Sequence, residues 1–445
     1  MSDRTFPAPM ERPEGSSTQL PLHSNGTGPT QPDQRIQLID VLRGFALLGI
    51  LVVNWSDYGT KVLYNLITFL AEGSFYPMYS FLFGLGFALQ LIRAEEGKRP
   101  FVLRYFWRSL ILFVIGTIHY AFISAVDILR TYAVAALVLL LVRRLRPGML
   151  LALAATLMLF QASPISQYLR PGHLWTRADP EYAEIESRQH QLTMIRSQAR
   201  AFAVCDTIPG LTATYRERLG VRVPRLLTDL SDSATLLWWK RVSDILLMFL
   251  LGFYVGRRRI LRDPARHTRL LAWVAGVGLA FGLAGNALDV YGDFFKDKGI
   301  ALPESLKAWG LEYMLGNLGL TLFYVSIVTL LFTHVRSAVK LLAPLGHAGR
   351  MGLTNYLMQS FVFEVILSNT VIFGVRISGW YHLALLVAFF AVQVLYSWWW
   401  FRYFRFGPVE WAWRSLTWWR RQPMRISAPP QPLPEPAISA TVQPR

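Results

Sequence analysis

The stretch Arg35-Ile-Gln-Leu-Ile-Asp40-Val-Leu-Arg43-Gly-Phe-Ala-Leu-Leu-Gly-Ile-Leu-Val-Val-Asn54 decides the fold class. As a helix rising about 1.5 Å per residue, it is long enough and apolar enough to cross a bilayer. Yet it carries an acid, a guanidinium and an amide. At about 100° per residue, Asp40, Arg43, Leu47, Ile50 and Asn54 fall on one face. Ionisable groups inside a span are costly and mark function or a buried pairing. The stretch predicts a membrane helix with one polar stripe turned into a bundle.

The rest of the chain repeats this composition. Of 445 residues, 53% are hydrophobic and 15 are Trp, which is richer than ordinary soluble domains. The formal charge of +17 does not indicate nucleic acid, because the arginines cluster at the ends of apolar runs, the positive-inside pattern. One cysteine, Cys205, excludes an intramolecular disulfide framework and a Cys-based zinc site.

The expected fold is all-α, a polytopic helix bundle of about ten spans. They run over residues 36–56, 74–92, 104–123, 129–143, 148–165, 239–256, 270–292, 310–333, 351–374 and 381–402. Around them, residues 1–34 and 426–445 read as disordered tails. The polar interruption at 166–238 reads as an external helical cap between two five-helix halves, 35–165 and 239–402. Residues 403–425, rich in Trp and Arg, suit a helix at the membrane interface. The arginine asymmetry, with Arg143, Arg144 and Arg146 or Arg257, Arg258 and Arg259 at one set of loops, places both termini in the cytoplasm.

The third span repeats the geometry of the first: Arg104, Arg108, Leu112, Ile115 and His119 share a face. Arg43 to Asn54 and Arg108 to His119 are both eleven residues apart, about three turns or roughly 16 Å. Each span thus carries an arginine near the cytosolic end and an amide or imidazole near the outer end. Snorkelling arginines and polar contacts between helices explain such residues singly; the repeated arrangement points to a site. An imidazole titrates near neutrality and suits proton transfer, and Asp127 or Glu72 could orient it. Asp127 and Arg130, spaced i and i+3, read equally well as a loop ion pair. The arginines Arg43, Arg104 and Arg108 could receive phosphates. In the ninth span Asn355 and Gln359 read as polar contacts between helices. The run Phe83-Gly-Leu-Gly-Phe87 lies inside an apolar span and reads as close helix packing. No Walker loop, His-Glu-x-x-His or Gly-x-Ser-x-Gly occurs.

Several stretches together resemble the YeiB family of bacterial membrane proteins. They are the opening from Arg35 through Asp40, Arg43-Gly-Phe-Ala-Leu-Leu-Gly-Ile-Leu and Asn54; Glu72-Gly-Ser-Phe-Tyr76 with Ser80-Phe-Leu-Phe-Gly-Leu-Gly-Phe87; and His119 with Asp127-Ile-Leu and Tyr132. To these add Gly349-Arg-Met-x-Leu-Thr-Asn-Tyr-Leu-x-Gln-Ser360 and Phe404-Arg-Phe-Gly-Pro-x-Glu-Trp-x-Trp-Arg-Ser-Leu-Thr417. More remotely, the first two spans look like those of transmembrane acyltransferases, among them heparan-α-glucosaminide N-acetyltransferase. That likeness implies a protein of the bacterial inner membrane that moves an acyl group from cytosolic acyl-CoA to an external glycan, lipid or metabolite. The chain departs from that group where its first-span histidine is expected: Trp55, Ser56, Asp57 and Tyr58 follow Asn54. His119 on the parallel span is the natural substitute. In this expectation Arg43, Arg104 and Arg108 hold the CoA phosphates. His119 is the base, oriented by Asp127 or Glu72, and Asn54 stabilises the oxyanion. The expected partners are the bilayer and a small-molecule or glycan acceptor. A metabolite transporter or a non-catalytic membrane partner protein would share the same polar interior.

Overall fold

The computed structural model describes residues 36–56, 59–124, 127–162, 236–297, 311–366, 371–372, 375–376 and 378–426. The cap expected at 166–238 and both tails lie almost wholly outside the described residues. The helices are α1 (Gln37–Trp55), α2 (Lys61–Leu70), α3 (Phe75–Glu96), α4 (Val102–Phe122), α5 (Leu129–Val142) and α6 (Pro147–Ala162). After the interruption come α7 (Leu236–Arg257), α8 (Thr268–Asp297), α9 (Leu311–His334), α10 (Arg336–Leu342) and α11 (Leu345–Arg350). The last three are α12 (Gly352–Ser360), α13 (Gly379–Trp400) and α14 (Pro408–Thr417). Two-residue strands at Val371–Ile372 and Val375–Arg376 pair antiparallel.

The fold is the expected all-α membrane bundle. Among the described residues, six helical segments are long and apolar enough to cross a bilayer: Gln37–Trp55, Lys61–Glu96, Val102–Phe122, Pro264–Leu288, Leu315–His334 and Gly379–Trp400. Leu129–Val142 and Pro147–Gln161 are shorter apolar helices. The ninth expected span is not one continuous α-helix: α12 ends at Ser360 and a π-turn, Phe361–Ile366, follows. Residues 61–70, which were assigned no helix from sequence, form α2, capped by the Thr60 hydroxyl accepting from the Leu63 amide at 3.3 Å.

Polarity is arranged inside-out relative to a soluble domain. On α4, Leu103, Phe106, Leu110, Val114, Ile118 and Phe122 are exposed along one stripe, while Tyr105, Ser109, Leu112, Gly116 and His119 are buried. Apolar patches of this extent belong against lipid. The helices approach closely at small residues. A Cβ on Gly84 would lie 2.0 Å from the Phe249 carbonyl oxygen, and one on Gly252 1.9 Å from that of Phe81, so α3 and α7 touch backbone to backbone. Of the two glycines in the Phe83–Phe87 run, Gly84 therefore serves packing; Gly86 meets only the Arg43 guanidinium at ordinary contact distance. Gly44 and Gly349 serve packing where α1 crosses α11. The amides of α12 join it to α13: Asn355 Nδ2 donates to Ser397 Oγ at 3.1 Å and Gln359 Nε2 to Gln393 Oε1 at 2.8 Å.

Candidate functional site

Two polar stations lie along α4. At its C-terminal end His119 is 1% exposed, with Nδ1 3.0 Å from Asp127 Oδ1. Asp127 precedes α5 and caps it. Its Oδ1 accepts from the Leu129 amide at 3.3 Å; its Oδ2 accepts from the Arg130 amide at 3.1 Å and from Arg130 Nε at 3.3 Å. Arg130 in turn lies 3.8 Å from the centre of the Tyr120 ring. A carboxylate is an acceptor only, so Nδ1 must carry the hydrogen in this pair. The lone pair is then on Nε2, which is buried and has no hydrogen-bond partner. Tyr356 of α12 stands beside the imidazole, ring centroids 5.3 Å apart. Asp127 is thus both an ion-pair partner of Arg130 and an orienter of His119.

The other two residues expected beside His119 are elsewhere. Asn54, on the last turn of α1, is exposed. The neighbouring Trp55 carbonyl is the group held inside, 2.8 Å from His382 Nε2 of α13. Glu72 is exposed in the turn between α2 and α3. That turn is fastened to α8 and α9 by Asn286 Nδ2 donating to the Phe69 carbonyl and the Tyr324 hydroxyl to that of Leu70, both at 2.7 Å. Neither side chain hydrogen-bonds to His119. Asn54 misses because it sits on the last turn of α1, where its side chain is exposed.

At the opposite end lie the arginines. Arg43 Nη1 donates to the buried Asp40 carboxylate at 3.0 Å. Arg108 stacks on the Trp413 indole at 3.7 Å, and Trp413 Nε1 donates to the Arg108 carbonyl at 2.8 Å. Arg104 stacks on Trp418 at 3.9 Å. Arg43 and Arg108 are within electrostatic reach of each other across α1 and α4. α14 is therefore docked across the arginines. It is fastened by Glu410, whose Oε1 accepts from the amides of Leu353 at 2.7 Å and Thr354 at 3.0 Å. Its Oε2 accepts from the Thr354 hydroxyl at 2.5 Å. Burial pushes the Glu410 carboxyl above its usual range, opposed by these hydrogen bonds.

Between the stations runs a group of buried and half-buried tyrosines, of which sequence reasoning did not single out Tyr79 or Tyr356. The Tyr132 hydroxyl is 2.7 Å from Ser80 Oγ and donates to the Tyr76 carbonyl at 3.0 Å. Tyr79 stacks on Tyr132 and lies within electrostatic reach of Arg43 and Glu410. Tyr356 is electrostatically coupled to both Tyr79 and Asp127. The usable signal was Tyr76, Tyr79 and Ser80 falling at helical spacing in the span opened by Glu72. It was obscured because tyrosine is also common at membrane interfaces.

Comparison with known proteins shows what the chain is similar to. Residues 255–420 match a family described as protein of unknown function (DUF418). Along the chain there is similarity to the uncharacterized protein YxaH of Bacillus subtilis, 29% identical over 89% of this chain and 97% of that protein. The uncharacterized protein YeiB of Escherichia coli is 26% identical over 86% of this chain and 96% of that protein. An uncharacterized 39.9 kDa protein of Bacillus acidopullulyticus is also 26% identical, over 89% and 98%. The YeiB-type resemblance holds over nearly the whole chain. The family match covers α12 and α14 with Glu410, whereas His119, Asp127, Arg43, Arg104 and Arg108 lie outside it.

Proposed function

We propose that this YeiB-type chain is a multi-pass membrane acyltransferase. It would move an acyl group from acyl-CoA on the arginine side to a hydroxyl or amine on the His119 side. The observation that carries the reading is the His119–Asp127 pair, buried, with Nδ1 engaged and Nε2 open. With Nε2 buried and unpartnered, that is the arrangement of a general base once an acceptor reaches it: Nε2 takes the proton of the acceptor hydroxyl or amine as that atom attacks the thioester carbonyl. The carbon–sulfur bond breaks, and the departing thiolate takes back the proton. Asp127 stabilises the imidazolium between the two transfers. The arginine station offers charge for the phosphates of the donor, and three turns of α4 separate the two stations by roughly 16 Å, a span suited to an extended pantetheine arm. Asn54 and Glu72 take no part in this reading, because both are exposed. The bacterial inner membrane with cytoplasmic termini is the location this reading requires.

The test uses the full chain in proteoliposomes with acetyl-CoA inside or outside and a panel of amino sugars, glycans and lipids as acceptors. Thiol release and label transfer are measured together. Acceptor-dependent thiol release that falls about 10²–10⁴-fold in His119→Ala supports the reading. Acceptor movement across the bilayer without thiol release would favour a transporter instead.

A further inference from the structure

Burying a cation inside a membrane bundle without a counter-charge is expensive. Among the described residues, the half-buried Arg108 has no carboxylate within ion-pair distance and its guanidinium donates no hydrogen bond; its neighbours are an indole face and a second cation, Arg43. One turn earlier on α4, Tyr105 is 3% exposed, and its hydroxyl is buried with no hydrogen-bond partner. That hydroxyl is within electrostatic reach of Arg108. An unpaired cation and an orphaned hydroxyl donor at one place on one helix are two independent signs of a missing anion. Stacking on Trp413 occupies only the face of the guanidinium, which leaves its edge for bidentate contact.

We propose that Arg108, Arg43 and the Tyr105 hydroxyl together hold a single phosphate-ester group beneath Trp413 of α14. The inference rests on the donor reading above and narrows it. The charged end of the ligand is one phosphate, Tyr105 is one of its ligands, and Arg104 is not. Arg104 sits one turn nearer the start of α4, stacked on Trp418 beside Arg99. A phosphate relieves the repulsion between Arg43 and Arg108, and its several oxygens match two guanidinium groups and a hydroxyl. Asp40, which already neutralises Arg43, leaves the remaining positive charge to Arg108.

A phosphate ester can come from a soluble coenzyme or from a phospholipid headgroup, and the experiment has an arm for each. The full-length protein is titrated calorimetrically with coenzyme A in phosphate-free detergent. Separately, it is extracted from nanodiscs of phosphatidylglycerol and phosphatidylcholine, and retained lipid is read by native mass spectrometry. In the arm where the wild type binds, Arg108→Gln is expected to weaken binding by at least about tenfold, the scale of one charged hydrogen bond. Tyr105→Phe, which keeps the ring and its packing, should weaken binding severalfold, and Arg104→Gln by less than twofold. Arg108→Lys, which keeps the charge but loses the fork, serves if the glutamine variant does not fold; it too should weaken binding. Arg108-dependent binding of coenzyme A supports both the site and the donor reading. Arg108-dependent retention of phosphatidylglycerol alone supports the site and removes the donor reading. The proposal is overturned if the wild type binds in neither arm, if the Arg108 variant binds as well as wild type, or if Arg104→Gln loses as much as Arg108→Gln.

Discussion

Asp127 performs two tasks, and Asp127→Asn separates them. The first task is to cap α5 through the amides of Leu129 and Arg130; the second is to hold the hydrogen on His119 Nδ1. Asparagine ranks with aspartate as a helix cap, so most of the first task survives. The charged contact from Arg130 Nε weakens, and one oxygen becomes an NH₂ group. Together these predict a stability loss of about 1–3 kcal/mol, the scale of one or two hydrogen bonds to a buried charged group. The second task does not survive. An amide NH₂ facing His119 requires Nδ1 to accept, which moves the ring hydrogen to Nε2 and removes the base. The expected loss of thiol release is about 10²–10⁴-fold, far more than the stability loss explains. Nitrogen-15 NMR of histidine-labelled protein, with His119→Ala supplying the assignment, reads the tautomer without any knowledge of the acceptor. The wild type should show His119 protonated on Nδ1, and the variant on Nε2. A wild type protonated on Nε2 alone, or an asparagine variant with full activity, would refute the reasoning.

Removing the α14 clamp by Glu410→Ala strands two buried amides and the Thr354 hydroxyl. It should cost about 2–4 kcal/mol after allowing for the released desolvation penalty, read by denaturant midpoint in detergent together with faster tryptic cleavage at Arg414. The buried Glu410 carboxyl is raised above its unfolded value, so the native chain holds its proton while the unfolded chain has released it. Its contribution is therefore present at acid pH and is lost as the pH rises through the folded value, and Glu410→Gln should flatten that slope. Gly252→Ala drives a methyl into the Phe81 carbonyl and should cost at least about 1–3 kcal/mol. Gly148→Ala, with nothing within 4 Å of its new Cβ, should be neutral or stabilising by up to about 1 kcal/mol; a reversed order would contradict the α3–α7 contact. Reporter fusions after Gly97 and after Arg258 should read cytoplasmic and one within 180–200 external; a cytoplasmic signal from the last defeats the topology.

How legible the molecule was depended on the range of the interaction. Long apolar runs announced α1, α3, α4, α8, α9 and α13, with boundaries within a few residues, because bilayer thickness and helical rise fix their length. The buried stripe of α4 followed from spacing alone; for the partner of His119 the sequence left Asp127 and Glu72 open, and the structure shows Asp127. α2 was missed because ten residues interrupted by polar side chains do not form a span. The break after Ser360 was missed because an apolar run does not reveal a π-turn. Contacts far apart in sequence were not readable. Nothing in Thr354 indicates that Glu410 will cap its helix, and nothing in Arg108 names Trp413 as its neighbour. The tyrosines at 79, 105 and 356 carried no sequence signal, because their hydroxyl positions depend on helices that meet only in the folded bundle.

One helix carries both stations, and this constrains what the bundle can do. His119 and Arg108 cannot change separation without breaking α4, since an α-helix transmits a fixed rise per residue. Their surroundings differ in how they are fastened. His119 is held by Asp127, itself fixed by three other donors at the start of α5, so the imidazole is preorganised. Arg108 is covered by α14, a ten-residue helix secured at its start by one buried carboxylate. In the proposed transfer the arginine end is the one that must open, because the ligand enters there, and the imidazole end is the one that must stay fixed. A mobile rim over a binding group and a rigid frame around a proton-transfer group are what group transfer requires, because the charged ligand must enter and leave at each turnover while the base must stay aligned within a few tenths of an ångström. An alternating-access carrier would need the opposite, with the ligand contacts fixed near mid-bundle and both ends free to open in turn.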